Sequence, residues 1–344
     1  GTEGAFVKRS SVDEVYALII SDTNDAIEKI APPLFPQKGF ASKSSARMLL
    51  RHVYLTLKNY NEALNQFQEI TNYGHSLLPS YAGVFELANK NSTESIFELQ
   101  YSMEAGKNQH NGMPDLWLPS TLDVGEITGI SPSNNGSGGR NMPTWEMINT
   151  YESGDQRLEV SVAIAEGTGR GNLFNIEKIV SPVGYVQPAD KEAVPFINKF
   201  NHEHTQHRQS DDNFPIYRYS DALLSLAEVL NELDRSGEAL IHLNAVRTRA
   251  GLGEITETSK SALRDIIIHE RRVELAFENK RFQDLVRTGK AVEVMNANGV
   301  YIKSQYAGNG NLLPVGYQVT QEKLLLPIPQ REIEIADLEQ NPGY

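Results

Sequence analysis

Apolar residues recur at helical spacing over much of the chain. The first stripe, Val12, Val15, Tyr16, Ile19, Ala26, Ile27 and Ile30, predicts a helix with one buried face. Ser11 and Glu14 stand at capping-box spacing at its start, where each side chain satisfies the other's backbone N–H. Pro32-Pro33 stop it, because proline has no N–H to donate and clashes with the preceding turn.

Two later stretches share one pattern. Over 44–72, Leu50, Tyr54, Ala63, Phe67 and Ile70 fall at the offsets of a tetratricopeptide repeat, with the turn at Lys58-Asn59 and Tyr60 opening the second helix. Small Ala63 lets the two helices approach, while Tyr54 and Phe67 fill the space on either side. Leu223, Leu226, Ala227 and Leu230, then Ala239, Leu243 and Val246, predict a second hairpin turned at 234–237, with Gly251 as its C-cap. Ala63 and Ala239 are much further apart than one repeat period, so the hairpins are not tandem. Helix resumes at Ser259 with Leu263, Ile266, Ile267 and Phe277, breaks near Asn279, and continues from about Phe282 to Met295. The expected fold is therefore dominated by α-helix, with tetratricopeptide-like hairpins and a loop-rich, minor-β excursion between them.

Within that excursion Phe97, Leu99 and Tyr101 alternate with Glu98 and Gln100, which predicts a strand over 96–101. Residues 102–143 then carry Gly, Asn, Ser and Pro with little periodicity, above all in the run 131–139, and a second irregular stretch covers about 167–213. Loops this long inside a compact domain are usually functional or mobile. Leu324-Leu325-Leu326-Pro327-Ile328-Pro329 is too rich in proline for an interior strand or helix. The expectation is one domain over 1–344, with a helical part at 1–100, a loop-rich binding region at 101–215, and helices with a closing segment at 216–344.

Composition removes several classes of function. The 344 residues carry a net charge of -12, with 32 scattered basic residues against 44 acidic ones, a balance that repels phosphate backbones and leaves nucleic acid out as a partner. No apolar run is long enough to span a bilayer. The absence of cysteine excludes disulfides, thiolate metal sites and a cysteine nucleophile.

The remaining constellations are read as architecture. His269-Glu270-Arg271-Arg272-Val273 starts like a zinc-protease helix, but Val273 stands where the second histidine must be, so Glu270, Arg271, Arg272 and Glu274 are expected to pair with charges on packed helices, Arg281, Asp284 and Arg287 among them. His202, His204, His207, Asp211 and Asp212 have metal-ligand chemistry without a regular frame to preorganise it, and are read as a solvated polar loop. The run ending Gly138-Gly139-Arg140 lacks the Lys-Ser/Thr of a phosphate-binding loop and is read as flexible. No nucleophile elbow is present and no carboxylate pair stands out, so no catalytic centre, cofactor or metal is expected.

What is left is aromatic. Trp117 and Trp145 lie in and just beyond the irregular 102–143 segment, with Tyr101, Tyr151, Asn108 and Asp115 near them in sequence. An aromatic face beside amide and carboxylate groups suits a sugar ring, whose C–H face stacks while its hydroxyls hydrogen-bond. These six residues are the candidate glycan contacts.

Four segments, taken together, resemble the SusD/RagB outer-membrane glycan-binding lipoproteins of Bacteroidetes. They are Val12-Asp13-Glu14-Val15-Tyr16 with the stretch 43–63; Tyr151-Glu152-Ser153-Gly154-Asp155-Gln156-Arg157; Tyr217-Arg218-Tyr219-Ser220-Asp221-Ala222-Leu223-Leu224 leading to Leu243-Asn244-Ala245-Val246-Arg247-Thr248-Arg249-Ala250-Gly251-Leu252; and Glu270-Arg271-Arg272-Val273-Glu274-Leu275 with Arg281-Phe282-Gln283-Asp284-Leu285-Val286-Arg287, Leu326-Pro327-Ile328-Pro329 and the ending Gln340-Asn341-Pro342-Gly343-Tyr344. The resemblance implies a non-catalytic, lipid-anchored protein on the outer face of the outer membrane, which captures oligosaccharide or polysaccharide and delivers it to a SusC-like TonB-dependent transporter. It also implies a lipidated cysteine and a further helical hairpin ahead of Val12, which this chain does not carry, so a form lacking the N-terminal portion is expected, with membrane contact only through an anchor absent here. Sugar contacts vary within that family and do not transfer by motif. Two other readings stay open on the residues alone: a tetratricopeptide scaffold holding a protein or peptide in its groove, and a glycoside hydrolase, which needs two carboxylates facing each other at about 5–9.5 Å.

Overall fold

The computed structural model describes residues 8–104, 109–130, 134–305 and 316–344. The chain divides into two compact units, Thr23–Glu278 and a second formed by Gly1–Asp22 with Asn279–Tyr344. Helix α1, Val12–Lys29, runs through the boundary at residue 22. Its capping box forms as expected: the Ser11 N–H donates to Glu14 at 2.8 Å and the Glu14 N–H to Ser11 Oγ at 3.2 Å. Its apolar stripe is not the buried face the spacing predicts. Ile27 is buried, but Val12 and Val15 are exposed. Periodicity records which face is apolar, not whether anything covers it.

The frame of the larger unit is helical. Helices α2 (Lys43–Thr56) and α3 (Tyr60–Thr71) make the first hairpin. After them come strand β1 (Ser95–Leu99) and a series of one-turn helices: α4 (Met113–Leu116), α5 (Gly125–Thr128), α6 (Trp145–Ile148) and α7 (Arg157–Ser161). Strands β2 (Val162–Thr168), β3 (Asn175–Val180), β4 (Glu192–Ile197) and β5 (Phe214–Arg218) precede the second hairpin, α8 (Tyr219–Glu232) and α9 (Ser236–Arg249), and then α10 (Lys260–Glu274). The two hairpins, remote in sequence, share one core in which Ala63, Phe67, Ile70, Ala227, Ala239, Leu243, Leu263 and Ile267 are all buried. Gly251 closes α9 at φ +82°, with its own N–H bonded to Thr248 and that of Leu252 to Arg247, each at 3.0 Å. That is the paired closure which glycine permits in the left-handed region.

The second irregular stretch is largely a sheet. The order is β3-β2-β4, antiparallel throughout, with Val162 to Gly167 of the central strand buried. Its signal is weak in sequence because β2 is rich in alanine and β4 contains Pro195, which is tolerated there because β4 is an edge. Leu118, Val124, Ala163, Ala165, Phe174, Ile176 and Phe196 form the core that binds the α4–α5 segment to this sheet. Strand β1 pairs instead with β5, Leu99 opposite Phe214. The part of the glycine-rich run that is described is tied down, contrary to the flexible loop expected. Asn135 is fully buried and donates to the Asp115 carbonyl at 2.7 Å, and a Cβ on Gly138 would collide with Asn135 and the Leu118 carbonyl. Residues 131–133 lie outside the described residues.

Charge is built into this frame. Glu274, fully buried, meets Arg249 at 2.5 Å, Arg218 at 3.0 Å and Arg157 at 3.2 Å. Glu270 meets Arg247 at 2.8 Å, while Arg218 also holds Glu94 at 2.9 Å and Glu278 at 2.7 Å. The family-like motifs around 151–157, 217–221, 247–249 and 270–274 thus converge on one buried network. Each carboxylate there has a guanidinium, which is what makes burial of so much charge tolerable.

In the smaller unit, helices α11 (Arg281–Arg287) and α12 (Ala291–Gln305) replace the single helix expected over 282–295, because Gly289 turns the chain at φ +73°. The proline-rich stretch is a loop, as expected. Gln340 exchanges two hydrogen bonds with the Ile328 backbone, at 2.8 and 2.9 Å, around the short helix α13 (Gln330–Ala336).

Candidate functional site

The segment 199–214 gathers Trp117, Tyr101 and Asp115, three of the six sequence candidates. Trp117, half-buried at the C-terminus of α4, packs its ring against Phe200 and Phe214 with centroids 5.6 and 6.2 Å apart. Phe200 continues the row to Phe85 at 5.6 Å. Under that row the Lys199 ammonium sits over the Tyr81 and Phe85 rings, 2.8 Å from Glu278. Burial pushes Lys199 down to about 8, against the pull of Glu278.

Beside Phe85 and Phe200 lies a cavity of ≈ 20 Å³, also lined by Lys90, Glu98, Asn213 and Arg218. It has room for about one water molecule. Asn213 braces its rim: its Oδ1 accepts from the Tyr101 N–H at 2.9 Å and its Nδ2 donates to Glu98 at 2.8 Å. Lys90 donates to the Tyr101 carbonyl at 3.2 Å and pairs with Asp211 at 3.0 Å. Tyr101 is therefore held through its backbone and is itself half-buried.

Asp115 does not face outward with Trp117. Only 1% exposed, it takes the Arg208 N–H, and its two oxygens lie 3.4 Å from His204 and 3.3 Å from His207. Burial works to raise its carboxyl, but the nearby His204 and the Arg208 N–H outweigh it and hold the group below its ordinary value. Asp115 is thus an internal acceptor, and the histidine run is a set of ties rather than a solvated loop. Tyr151 likewise belongs to the frame. It is buried, its hydroxyl donates to the Val273 carbonyl at 3.4 Å, and burial drives its phenol well up. Asn108 lies outside the described residues.

Trp145 stands at a second place. Thr144 caps its helix, accepting from the Met147 N–H at 3.1 Å, and the indole lies parallel to Tyr185, 6.1 Å between centroids and 7° between planes. The Tyr185 hydroxyl donates to Glu166 at 2.7 Å, and Glu166 pairs with Lys178 at 2.8 Å. Burial first and the Glu166 bond second push the Tyr185 phenol up to about 12. Local pattern does not single out Tyr185, Phe200 or Phe214, because the first two sit among the Gly, Pro and Asn residues of 167–213 and the third directly follows them. Their aromatic character inside a loop-like stretch is the signal that the sequence does carry.

Chemically, both places offer half-buried aromatic surface next to amide, carboxylate and ammonium groups that are already fixed by one another. Such a surface suits a neutral, polyhydroxylated ligand that stacks its C–H face and trades hydrogen bonds at its edge.

Comparison with known proteins agrees with this architecture. The chain is 28% identical to SusD-like protein P2 of Formosa agariphila over 362 residues, an overlap that takes in 98% of the chain and 66% of that relative. It therefore spans slightly less than two thirds of that relative's length. Among solved structures, a SusD superfamily protein from Parabacteroides distasonis superposes with a TM-score of 0.73 at 25% identity, over 98% of this chain and 70% of that one. A laminarin binding SusD-like protein superposes with a TM-score of 0.70 at 26% identity, over 97% and 70%. The SusD family model matches residues 93–344, which take in the three-stranded sheet, Trp117, Phe200 and Phe214 of the aromatic row, the second hairpin and the buried charge network, and the chain belongs to the SusD family.

Proposed function

We propose that this chain captures an oligosaccharide or polysaccharide at a bacterial cell surface and passes it, chemically unchanged, to a SusC-like TonB-dependent transporter of the outer membrane. The observation that carries this reading is the half-buried Trp117, braced by Phe200 and Phe214 beside a small polar-rimmed cavity in a SusD-family fold. Trp145 with Tyr185 supplies a second aromatic contact. The carboxylates near Trp117 support binding rather than hydrolysis: Glu98, Asp115, Asp211 and Asp212 are engaged by Asn213, His204, Lys90 and His202 respectively.

A similar fold binds laminarin, which makes laminarin the first glycan to try. The test is calorimetric titration with laminarin and a panel of soluble polysaccharides. Saturable binding by at least one of them is expected, and absence of binding across the panel at millimolar sugar overturns the reading. Delivery is tested by co-purification of the full-length, lipid-anchored protein with its transporter from outer membranes.

A further inference from the structure

His204 lies between two oxygen acceptors, an arrangement that favours its doubly protonated form. Its Nδ1 lies 2.9 Å from the His202 carbonyl, and because a carbonyl oxygen only accepts, Nδ1 carries a proton. Its Nε2 faces Asp115 Oδ1 at 3.4 Å, with both side chains 2% exposed. Among the described residues neither atom has a hydrogen-bond partner, the 3.4 Å contact between them being an ion-pair distance only. A neutral imidazole protonated at Nδ1 turns its Nε2 lone pair toward a carboxylate lone pair in a dry site. The imidazolium makes both contacts attractive.

The same point joins three pieces of chain. Asp115 lies on α4, two residues before Trp117, and its second oxygen takes the Arg208 N–H and lies near His207. Arg208 sits at φ +62°, a region rarely entered by residues other than glycine, and its guanidinium reaches Ser137. Alongside, His202 meets Asp212 at 2.5 Å, and Asp212 accepts from the Ser210 hydroxyl. The other charges near these histidines are Glu86 and Lys90, the latter paired with Asp211.

We propose that His204 is a proton-operated clasp. Protonated, it binds Asp115 and holds α4, with Trp117, against the 199–213 segment. Without its Nε2 proton it repels Asp115 and lets that segment of α4 go. The nearby Asp115 carboxylate raises the His204 imidazolium above its ordinary value, against the effect of burial, and Asp212 does the same for His202. A raised imidazole gives its full stabilisation below the ordinary value of about 6.5 and loses it as pH rises through the raised folded value. Asp115, held low, stays ionised across that range. The clasp is therefore closed at mildly acidic pH and opens on the alkaline side. Only its effect on glycan capture rests on Trp117 as a contact.

The test is hydrogen–deuterium exchange on the whole chain from pH 5.5 to 9, corrected for intrinsic exchange, following the amides of 109–121, with the His204 titration read by NMR. Opening of 109–121 is expected to be flat below about pH 6.5 and then to rise by up to about tenfold per pH unit until the folded value is passed. Asp115→Asn, whose amide donates to a neutral imidazole, is expected to flatten the response. His204→Gln, which donates to Asp115 at any pH, is a second and less disruptive variant with the same expected flattening. His204 titrating at or below its ordinary value overturns the clasp, as does protection that is independent of pH in the unaltered chain. Protection lost to a chelator and restored by zinc also overturns it, because a cation rather than a proton then fills the gap. An exchange response without binding of any glycan supports the clasp and defeats the glycan reading.

Discussion

Arg157 Nη1 donates to Glu270 Oε1 at 2.5 Å, and neither side chain is exposed, although 113 residues of sequence separate them. Removing one partner of such a pair strands the other in a medium that solvates charge poorly. Arg157→Ala, which also deprives Asp155 and Glu274 of a partner, is expected to destabilise the chain by about 3–5 kcal/mol. Urea unfolding at pH 7 measures this, and a loss below about 1 kcal/mol would show that the pair is dispensable.

The network also sets the response to acid. Burial alone would raise the carboxyl of Glu274, but Arg249, Arg218 and Arg157 outweigh it and hold the group far below the ordinary range; Glu278 is lowered in the same way by Arg218 and Lys199. Carboxyls lowered by folding contribute stability that is complete above their ordinary value of 4.5 and is lost as pH falls through the lowered folded value. Stability should therefore fall steeply below about pH 4.5, and Glu274→Gln, though less stable at pH 7, should show a shallower fall. Equal slopes for the two chains would remove Glu274 from the account.

Two glycines are expected to respond in opposite directions. A Cβ on Gly167 would sit 1.9 Å from the Asn175 carbonyl oxygen, inside the pairing of β2 with β3, so Gly167→Ala must move backbone and is expected to cost about 1–3 kcal/mol. Gly237, near the start of α9, has open space around its missing Cβ, and Gly237→Ala should stabilise by about 0.4–1 kcal/mol. Thermal unfolding of both variants checks the pair, and a neutral Gly167→Ala would refute the close approach.

For whichever glycan binds, Trp117→Ala is expected to weaken affinity by about tenfold to a hundredfold, or ~1.4–2.8 kcal/mol. Trp145→Ala should weaken it less if the second contact is peripheral. Tyr151→Phe should leave affinity unchanged, because Tyr151 is part of the buried frame. Affinity unaltered by both tryptophan changes, measured calorimetrically, rules out the aromatic contacts.

Features that depend on neighbours along the chain are legible in the sequence itself. The Ser11–Glu14 cap, the spacing of Ala63 and Phe67 against their partner helix, and the left-handed Gly251 closing α9 each follow from one or two turns of chain. Trp117 is legible as an aromatic in a loop. What surrounds it is not, because Phe200 and Phe214 reach it, and Asn213 reaches Tyr101, across about a hundred residues of weakly periodic chain. The sheet β3-β2-β4 is hidden for a similar reason. An alanine-rich central strand and an edge with Pro195 carry little local preference, and their stability comes from pairing and from the core shared with Leu118 and Val124. Asp115 and Tyr151 show the limit most directly: residue type and position mark both as sugar contacts, yet folding turns one toward His204 and the other toward Val273. Local spacing decides which helices and turns form, because their hydrogen bonds close within a few residues. Which side chains face a ligand, and which carry the buried charge, is decided only when distant segments meet and exclude water.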